Sequence, residues 1–215
     1  MKIEAGSTLL FIGDSITDAG RARPVGEQTK DKLGHGYVNL VAAALSAACP
    51  DRAIRVLNTG ISGNTVRDLD SRWQTDMLDL NPDWLSIMIG INDVWRNFGS
   101  PEQKAAHVPA EEYEQTLNRL VESARPGLNG LILMTPYYIE PNRAEPMRAM
   151  MDDYSAIVTQ LAARHDAVLV DTQAAFDSVL EHIHPTFIAG DRVHPFLIGH
   201  MIIARAWLNA MQTPF

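Results

Sequence analysis

The chain has 215 residues, which suits one domain with a sizeable core, and its 46% hydrophobic and 20% charged residues are an ordinary globular composition. A net charge of -8 with no basic stripe argues against nucleic acid as a partner. No apolar run approaches the roughly 20 residues of a membrane span.

The N-terminus, Met1-Lys2-Ile3-Glu4-Ala5-Gly6, lacks the basic-then-apolar order of a secretory signal, so a cytoplasmic protein is expected. The single Cys49 excludes an internal disulfide framework and a cysteine-rich metal site. At the end of an Ala-rich helix and just before Pro50, it reads as a buried spectator thiol.

In chain order, Leu9-Leu10-Phe11-Ile12 is a short apolar run that reads as a buried strand, and it ends abruptly in Gly13-Asp14-Ser15. Gly13 lets the backbone bend there, which puts Ser15 at the mouth of the sheet, near the amino end of the next helix. Residues 20–36, rich in Arg, Lys, Pro and Gly, read as a long surface loop of the kind that often carries function. Tyr37, Leu40, Val41, Ala44, Leu45 and Ala48 recur at helical spacing, and Pro50 stops that helix. Residues 54–58 are the second strand, running into the glycine-punctuated turn Thr59-Gly60-Ile61-Ser62-Gly63-Asn64-Thr65. One helix then carries Val66, Leu69, Trp73 and Met77 on a single face. Residues 83–90 are the third strand, ending in Gly90-Ile91-Asn92-Asp93, and an irregular stretch to about Pro109 is expected after it.

Residues 111–124 form a helix with Tyr113, Leu117, Leu120, Val121 and Ala124 inward. Residues 130–134 are the fourth strand, ended by Thr135-Pro136. Pro146, a good first-turn residue, opens a helix whose inner face is Met147, Met150, Met151, Tyr154, Val158 and Leu161. Residues 167–170 are the fifth strand. A short helix, a loop over 183–194 and a helix opened by Pro195 complete the chain. Uniform β-α alternation with nearly continuous apolar strands implies an α/β fold: a parallel sheet covered by helices on both faces. No internal repeat, low-complexity segment or linker interrupts residues 1–215, so a single domain is expected.

The chemistry gathers at strand ends. Ser15, Gly63 with Asn64, and Asn92 emerge at one edge of a parallel sheet, the edge where ligands bind in such folds. The last loop, Asp191-Arg192-Val193-His194, can reach the same edge. Acyl transfer needs a nucleophile, a base and an acid that orients the base. Ser15, His194 and Asp191 can fill those places. The N–H groups of Ser15 and Gly63 and the Asn92 amide can supply donors to an oxyanion. Each piece also has a plainer reading. Asp14 and Ser15 can form a turn or helix cap, Asp191 and Asn92 can be turn residues, and His194 can be a surface residue before a helix. Asp14 reads as a supporting group, poorly placed to reach the far side of His194.

Two rival classes use other residues. A metal-dependent hydrolase would use His182-x-His184 with Asp191 and His194 but leaves Ser15, Gly63 and Asn92 unexplained. A non-enzymatic flavin or nucleotide binder would cradle phosphate at Ser15-Ile16-Thr17, where Asp14 and Asp18 repel it and no Gly-x-Gly-x-x-Gly is present. No cofactor and no metal are expected. The loops are polar and Pro-rich with isolated aromatics (Trp95, Tyr137, Tyr138, Phe187), which suits sugar rings and a small acyl group better than a long chain.

Taken together, these residues resemble the SGNH (GDSL-type) hydrolases. Gly13-Asp14-Ser15-Ile16 is similar to the first block, with Ile where Leu is usual. Gly63 is similar to the second-block glycine, Gly90-Ile91-Asn92-Asp93 to the third block, and Asp191-Arg192-Val193-His194 to the last. The resemblance implies a flavodoxin-like three-layer α/β/α sandwich with strand order 2-1-3-4-5 and serine-ester hydrolysis without a metal. It implies that Ser15 is nucleophile and oxyanion donor, Gly63 and Asn92 are oxyanion donors, His194 is the base and Asp191 orients it. Asp14, Asn64, Asp93 and Trp95 are supporting or substrate-binding candidates.

Residues 11–18, 60–69, 86–96 and 171–176 are similar to one branch, the bacterial serine acetylxylan esterases. That resemblance implies an intracellular homo-oligomer acting on acetylated xylo-oligosaccharides. A short-acyl esterase, lysophospholipase or thioesterase of the same fold is the alternative. Residues 20–36 and 183–190 are less similar to the branch and are expected to border the site or an interface.

Overall fold

The computed structural model describes residues 1–25 and 32–213. Its centre is one parallel sheet of β1 (Thr8–Gly13), β2 (Arg55–Asn58), β3 (Trp84–Met88), β4 (Gly130–Met134) and β5 (Val168–Val170), in the order β2-β1-β3-β4-β5. Every residue of β3 and β4 is buried, so neither face of the central strands meets water. The register sets Gly13 level with Met88, Met88 with Met134, and Met134 with Val170. The carboxyl ends of four strands therefore form one row, and the residues that follow them emerge at a common edge.

The helices are α1 (Ser15–Asp18), α2 (Tyr37–Ala48), α3 (Val66–Ser71), α4 (Trp73–Asp76), α5 (Ile91–Trp95), α6 (Pro101–Ala105), α7 (Ala110–Ala124), α8 (Pro146–Arg164), α9 (Thr172–Leu180) and α10 (Leu197–Ala210). α2 and α9 pack on α10, while α3 and α8 pack on α7, which makes two groups around the sheet. Phe11 of β1 meets the rings of Tyr37 in α2 and Trp207 in α10 at centroid distances of 5.7 and 5.4 Å, and so binds the first group to the sheet. Trp207 donates its ring N–H to Ser86 Oγ at 3.1 Å, and that hydroxyl donates in turn to Met134 Sδ at 3.5 Å, so the polar groups of both residues are satisfied within the core. The result is the flavodoxin-like α/β/α sandwich expected from the sequence.

Several local expectations change. The helix expected over residues 66–77 breaks at Arg72, where α3 ends and α4 begins. Val66, Leu69, Trp73 and Met77 are all buried nonetheless. The stretch expected to be irregular contains α5 and α6, the second opened by Ser100 and Pro101 in a capping box. The final helix begins at Leu197, two residues after Pro195. Leu40 is half-buried, and at the end of α2 Ala48 is exposed and Cys49 half-buried rather than buried, since residues 46–48 of the last turn all face solvent. Of the loop expected over 20–36, residues 26–31 lie outside the described residues. Among the described residues, no helix is long and apolar enough to cross a membrane.

Candidate active site

Ser15 is the first residue of α1, directly beyond β1. Asp14 caps that helix, its Oδ1 accepting from Ile16 N–H at 3.0 Å. The turn requires glycine at position 13. A Cβ there would lie 2.2 Å from the Met88 carbonyl oxygen and 2.5 Å from Thr17 Oγ1, closer than any side chain can come. The half-buried Ser15 hydroxyl lies 2.9 Å from His194 Nε2. Across the ring, His194 Nδ1 lies 2.7 Å from Asp191 Oδ2. An ionised carboxylate only accepts, so Nδ1 carries the proton and Nε2 is free to take one from Ser15. This chain of three side chains can move a proton from hydroxyl to imidazole.

The Asp191–His194 loop is built to hold that geometry. Asp191 Oδ1 accepts from the backbone N–H groups of Val193 and His194 at 3.0 and 2.8 Å. Partial burial pushes the Asp191 carboxyl up, but the His194 ring and those two N–H groups outweigh it and hold the carboxyl below its usual range. Arg192 takes a left-handed φ of 63° between them. Its carbonyl accepts from Ile139 N–H at 3.0 Å, and its guanidinium pairs with Glu140. The Tyr137 hydroxyl donates to Val193 O at 3.1 Å. Residues 137–140, beyond β4, thus brace the loop. Tyr137, expected among the sugar-facing aromatics, is instead fully buried as one of these braces. Trp95 does face the site, its ring 5.7 Å from the His194 ring at 62°.

The turn after β2 is anchored residue by residue. Arg21 Nε donates to Gly60 O at 2.7 Å, and Ile61 N–H donates to Gly13 O at 3.0 Å. Asp18 Oδ2 accepts from both the N–H and the hydroxyl of Ser62, at 3.2 and 3.1 Å. Arg96 Nη2 donates to Gly63 O at 2.8 Å, and Asn92 Nδ2 donates to Asn64 O at 2.9 Å. Arg72 reaches Asn64 Oδ1, Thr59 O and Gly13 O at 2.6, 2.7 and 2.9 Å, tying the ends of β1 and β2 to the turn. Asn64 is therefore held as scaffold. Gly63 adopts a φ of +83° with open space around a notional Cβ, so conformation alone calls for glycine there. Among the described residues no group accepts from the N–H of Ser15 or of Gly63, or from the second amide hydrogen of Asn92. Gly63, Asn92, Trp95, Arg96 and Gln103 line one cavity of about 280 Å³.

Three buried titratable groups flank this edge. Burial pushes the Asp14 carboxyl up to about 7, against the Ile16 N–H and the attraction of His194 and Arg72. Burial likewise pushes Asp93 up to about 7, against the Val66 N–H that its Oδ1 accepts at 2.9 Å. Asp93 thereby links the helix bearing Asn92 to the start of α3, and its Oδ2 has no partner among the described residues. Burial, with the nearby His194, pushes His200 down to about 4, and its Nδ1 accepts from Tyr37 N–H at 3.2 Å. Among the described residues no three His, Cys, Asp or Glu side chains gather as a metal site, and His184 Nδ1 lies 2.9 Å from Thr186 Oγ1.

Ser15, Asp191 and His194 thus come together, as do Gly63 and Asn92, while Asp14 and Asp93 lie buried behind them. The anchoring roles of Arg21, Arg72 and Arg96 and the bracing role of Tyr137 carry no signal in the sequence, since each reaches a backbone carbonyl far away along the chain.

The chain has close relatives. The GDSL-like lipase/acylhydrolase family matches residues 11–202. The chain is 56% identical over 209 residues, 97% of this chain and 95% of the relative, to an acetylxylan esterase of Geobacillus stearothermophilus. The crystal structure of Axe2, an acetylxylan esterase from that organism, superposes with a TM-score of 0.98 at 54% identity, covering 100% of this chain and 98% of the other. Three further Axe2 structures are described as catalytic mutants and carry S15A, D191A and H194A. LAE5, an alpha/beta hydrolase enzyme from the metagenome of Lake Arreo, superposes with a TM-score of 0.96 at 52% identity, covering 99% of this chain and 98% of the other. The family match begins in the strand that leads to Ser15 and ends beyond His194, so it spans both halves of the hydrogen-bonded chain: this protein belongs to the GDSL-like lipase/acylhydrolase family.

Proposed function

We propose that the protein is a serine esterase that removes acetyl groups from acetylated xylo-oligosaccharides. One observation carries the reading: Ser15, His194 and Asp191 form a continuous hydrogen-bonded chain at the sheet edge, and the same three numbers are the catalytic mutants of a 54% identical acetylxylan esterase.

In this mechanism Ser15 Oγ attacks the acetyl carbonyl carbon while His194 Nε2 takes its proton. The negative charge gathers on the carbonyl oxygen, where the free N–H groups of Ser15 and Gly63 and the free Asn92 amide hydrogen receive it. Collapse expels the sugar alkoxide, which takes the proton from His194, and leaves acetyl on Ser15. Water then attacks with its proton passing to His194, and a second collapse releases acetate and returns the proton to Ser15. Asp191 keeps the ring in the tautomer each step needs. A cavity of about 280 Å³, lined by the polar side chains Arg96 and Gln103 and by Trp95, suits a sugar ring better than a long acyl chain.

Self-association belongs to the same reading, supported by four exposed apolar side chains, Phe187, Phe196, Leu197 and Ile198, in and after the less family-like loop. A cytoplasmic site of action is part of it as well.

The test is acetate release from acetylated xylo-oligosaccharides by the wild type and by Ser15→Ala, with 4-nitrophenyl acetate and a long-chain ester as comparisons. Fast sugar deacetylation that vanishes in the variant supports the reading. Slow sugar deacetylation beside brisk, Ser15-dependent cleavage of simple esters discards the substrate and keeps the mechanism.

A further inference from the structure

The geometry points to Arg96 as a positioning residue for the oxyanion donors, acting through the Gly63 peptide; this rests on the serine-esterase reading above. Asn92 and Arg96 stand four residues apart on continuous helical backbone, since Arg96 itself has φ -57° and ψ -29°. Residues at that spacing share one side of a helix. From that side they take consecutive carbonyls of the turn: Arg96 donates to Gly63 O at 2.8 Å and Asn92 to Asn64 O at 2.9 Å. One helical segment therefore supplies an oxyanion donor, Asn92, and holds the peptide beside another, Gly63.

The other anchors of the turn differ in kind. Gly60 and Ser62 are held by Arg21 and Asp18, both buried, and Asn64 by the buried Asn92 and the largely buried Arg72. Arg21, Asp18 and Arg72 each hold two backbone groups at once, so they also hold the fold. Arg96 is half-buried, makes one hydrogen bond, and has no carboxylate pair among the described residues. Gly63 combines a left-handed φ with open space where a Cβ would sit, so no side chain packs against its Cα on that side. The N–H of the peptide unit that follows, on Asn64, donates to Ile61 O at 3.3 Å, and Arg96 holds its carbonyl at 2.8 Å, the one side-chain restraint on it among the described residues. An oxyanion donor works by being aimed in advance, and a shift of about 1 Å is enough to lose a large factor in rate.

The experiment compares Arg96→Met, which keeps the stem and removes the donors, with Arg96→Lys, which keeps a charged donor. Both are measured on 4-nitrophenyl acetate, with thermal unfolding alongside. Arg96→Met is expected to lower kcat by about tenfold or more with KM within about twofold, and a boronic acid that forms a tetrahedral adduct with Ser15 is expected to lose affinity in parallel. Arg96→Lys is expected to recover most of both losses, and the two variants should unfold at the wild-type temperature. The assignment is overturned if Arg96→Met keeps kcat, if KM rises while kcat stands, or if Lys restores nothing. Because the comparison is read on a simple ester, failure of the sugar substrate leaves it intact, whereas activity surviving in Ser15→Ala removes the reading on which it rests.

Discussion

His194 Nδ1 lies 2.7 Å from Asp191 Oδ2, and the same aspartate's Oδ1 accepts from the His194 backbone N–H at 2.8 Å. One carboxylate thus fixes both the ring and the backbone of the residue it serves. Asp191→Asn keeps the shape and the backbone acceptor but presents an N–H to His194 Nδ1, which moves the ring proton to Nε2. We expect kcat to fall by about 10³ with little change in KM or in unfolding temperature. Steady-state kinetics beside a melting curve check this. Asp191, held below the usual carboxylate range, stays ionised in more acid solution than an ordinary carboxylate would.

Asn92 uses one amide hydrogen on Asn64 O and leaves the other free, the one proposed to meet the oxyanion. Asn92→Ala is expected to lower kcat by roughly 10² to 10³ with KM nearly unchanged. A change confined to KM would make Asn92 a substrate-binding residue.

The two glycines nearest the chemistry are needed for different reasons, and alanine separates them. At Gly13 a Cβ meets the Met88 backbone oxygen at 2.2 Å, and neither strand can yield. Gly13→Ala is expected to abolish folding or to cost several kcal/mol, as a forced clash in a core does. At Gly63 the space is open and only the φ of +83° is unfavourable, so Gly63→Ala is expected to cost about 1 kcal/mol of stability and much more of the activity. Urea unfolding measures the first quantity and ester hydrolysis the second.

Asp14 and His200 tilt stability against pH in opposite senses. Asp14 is raised from an ordinary 3.8 to about 7, so the stability it contributes is full below pH 4 and is lost as pH rises towards 7. His200 is lowered from 6.5 to about 4, so its contribution is full above pH 6.5 and is lost as pH falls towards 4. Asp14→Asn should therefore gain on the wild type by a few kcal/mol more at pH 8 than at pH 4. His200→Gln should gain on it in the reverse direction, more at pH 4 than at pH 7. Urea unfolding at these pH values checks both, and a difference from wild type that does not vary with pH would remove the group from the account.

The sequence by itself was enough for the strands, the fold and the side chains that meet at the sheet edge. Runs such as Leu9 to Ile12 and residues 130–134 are apolar throughout, which only a sheet covered on both faces allows. Gly13-Asp14-Ser15 and Gly90-Ile91-Asn92-Asp93 stand where a strand gives way to a helix, and Asp191-Arg192-Val193-His194 stands in a loop before one. These features are local, and local chemistry is what a sequence displays.

Tertiary structure decided the rest. The helix that reads as continuous from Val66 to Met77 breaks at Arg72, whose side chain ties Gly13, Thr59 and Asn64 together across the strand ends. Tyr137 reads as a loop aromatic but is buried, because Val193, 56 residues on, offers its hydroxyl a carbonyl. Arg96 looks like any surface arginine until the fold brings Gly63 O within 2.8 Å of it. In each case at least one partner is a backbone carbonyl distant along the chain. Every residue carries a carbonyl, so no residue pattern marks the one that will be met, and only the packed sheet edge selects it.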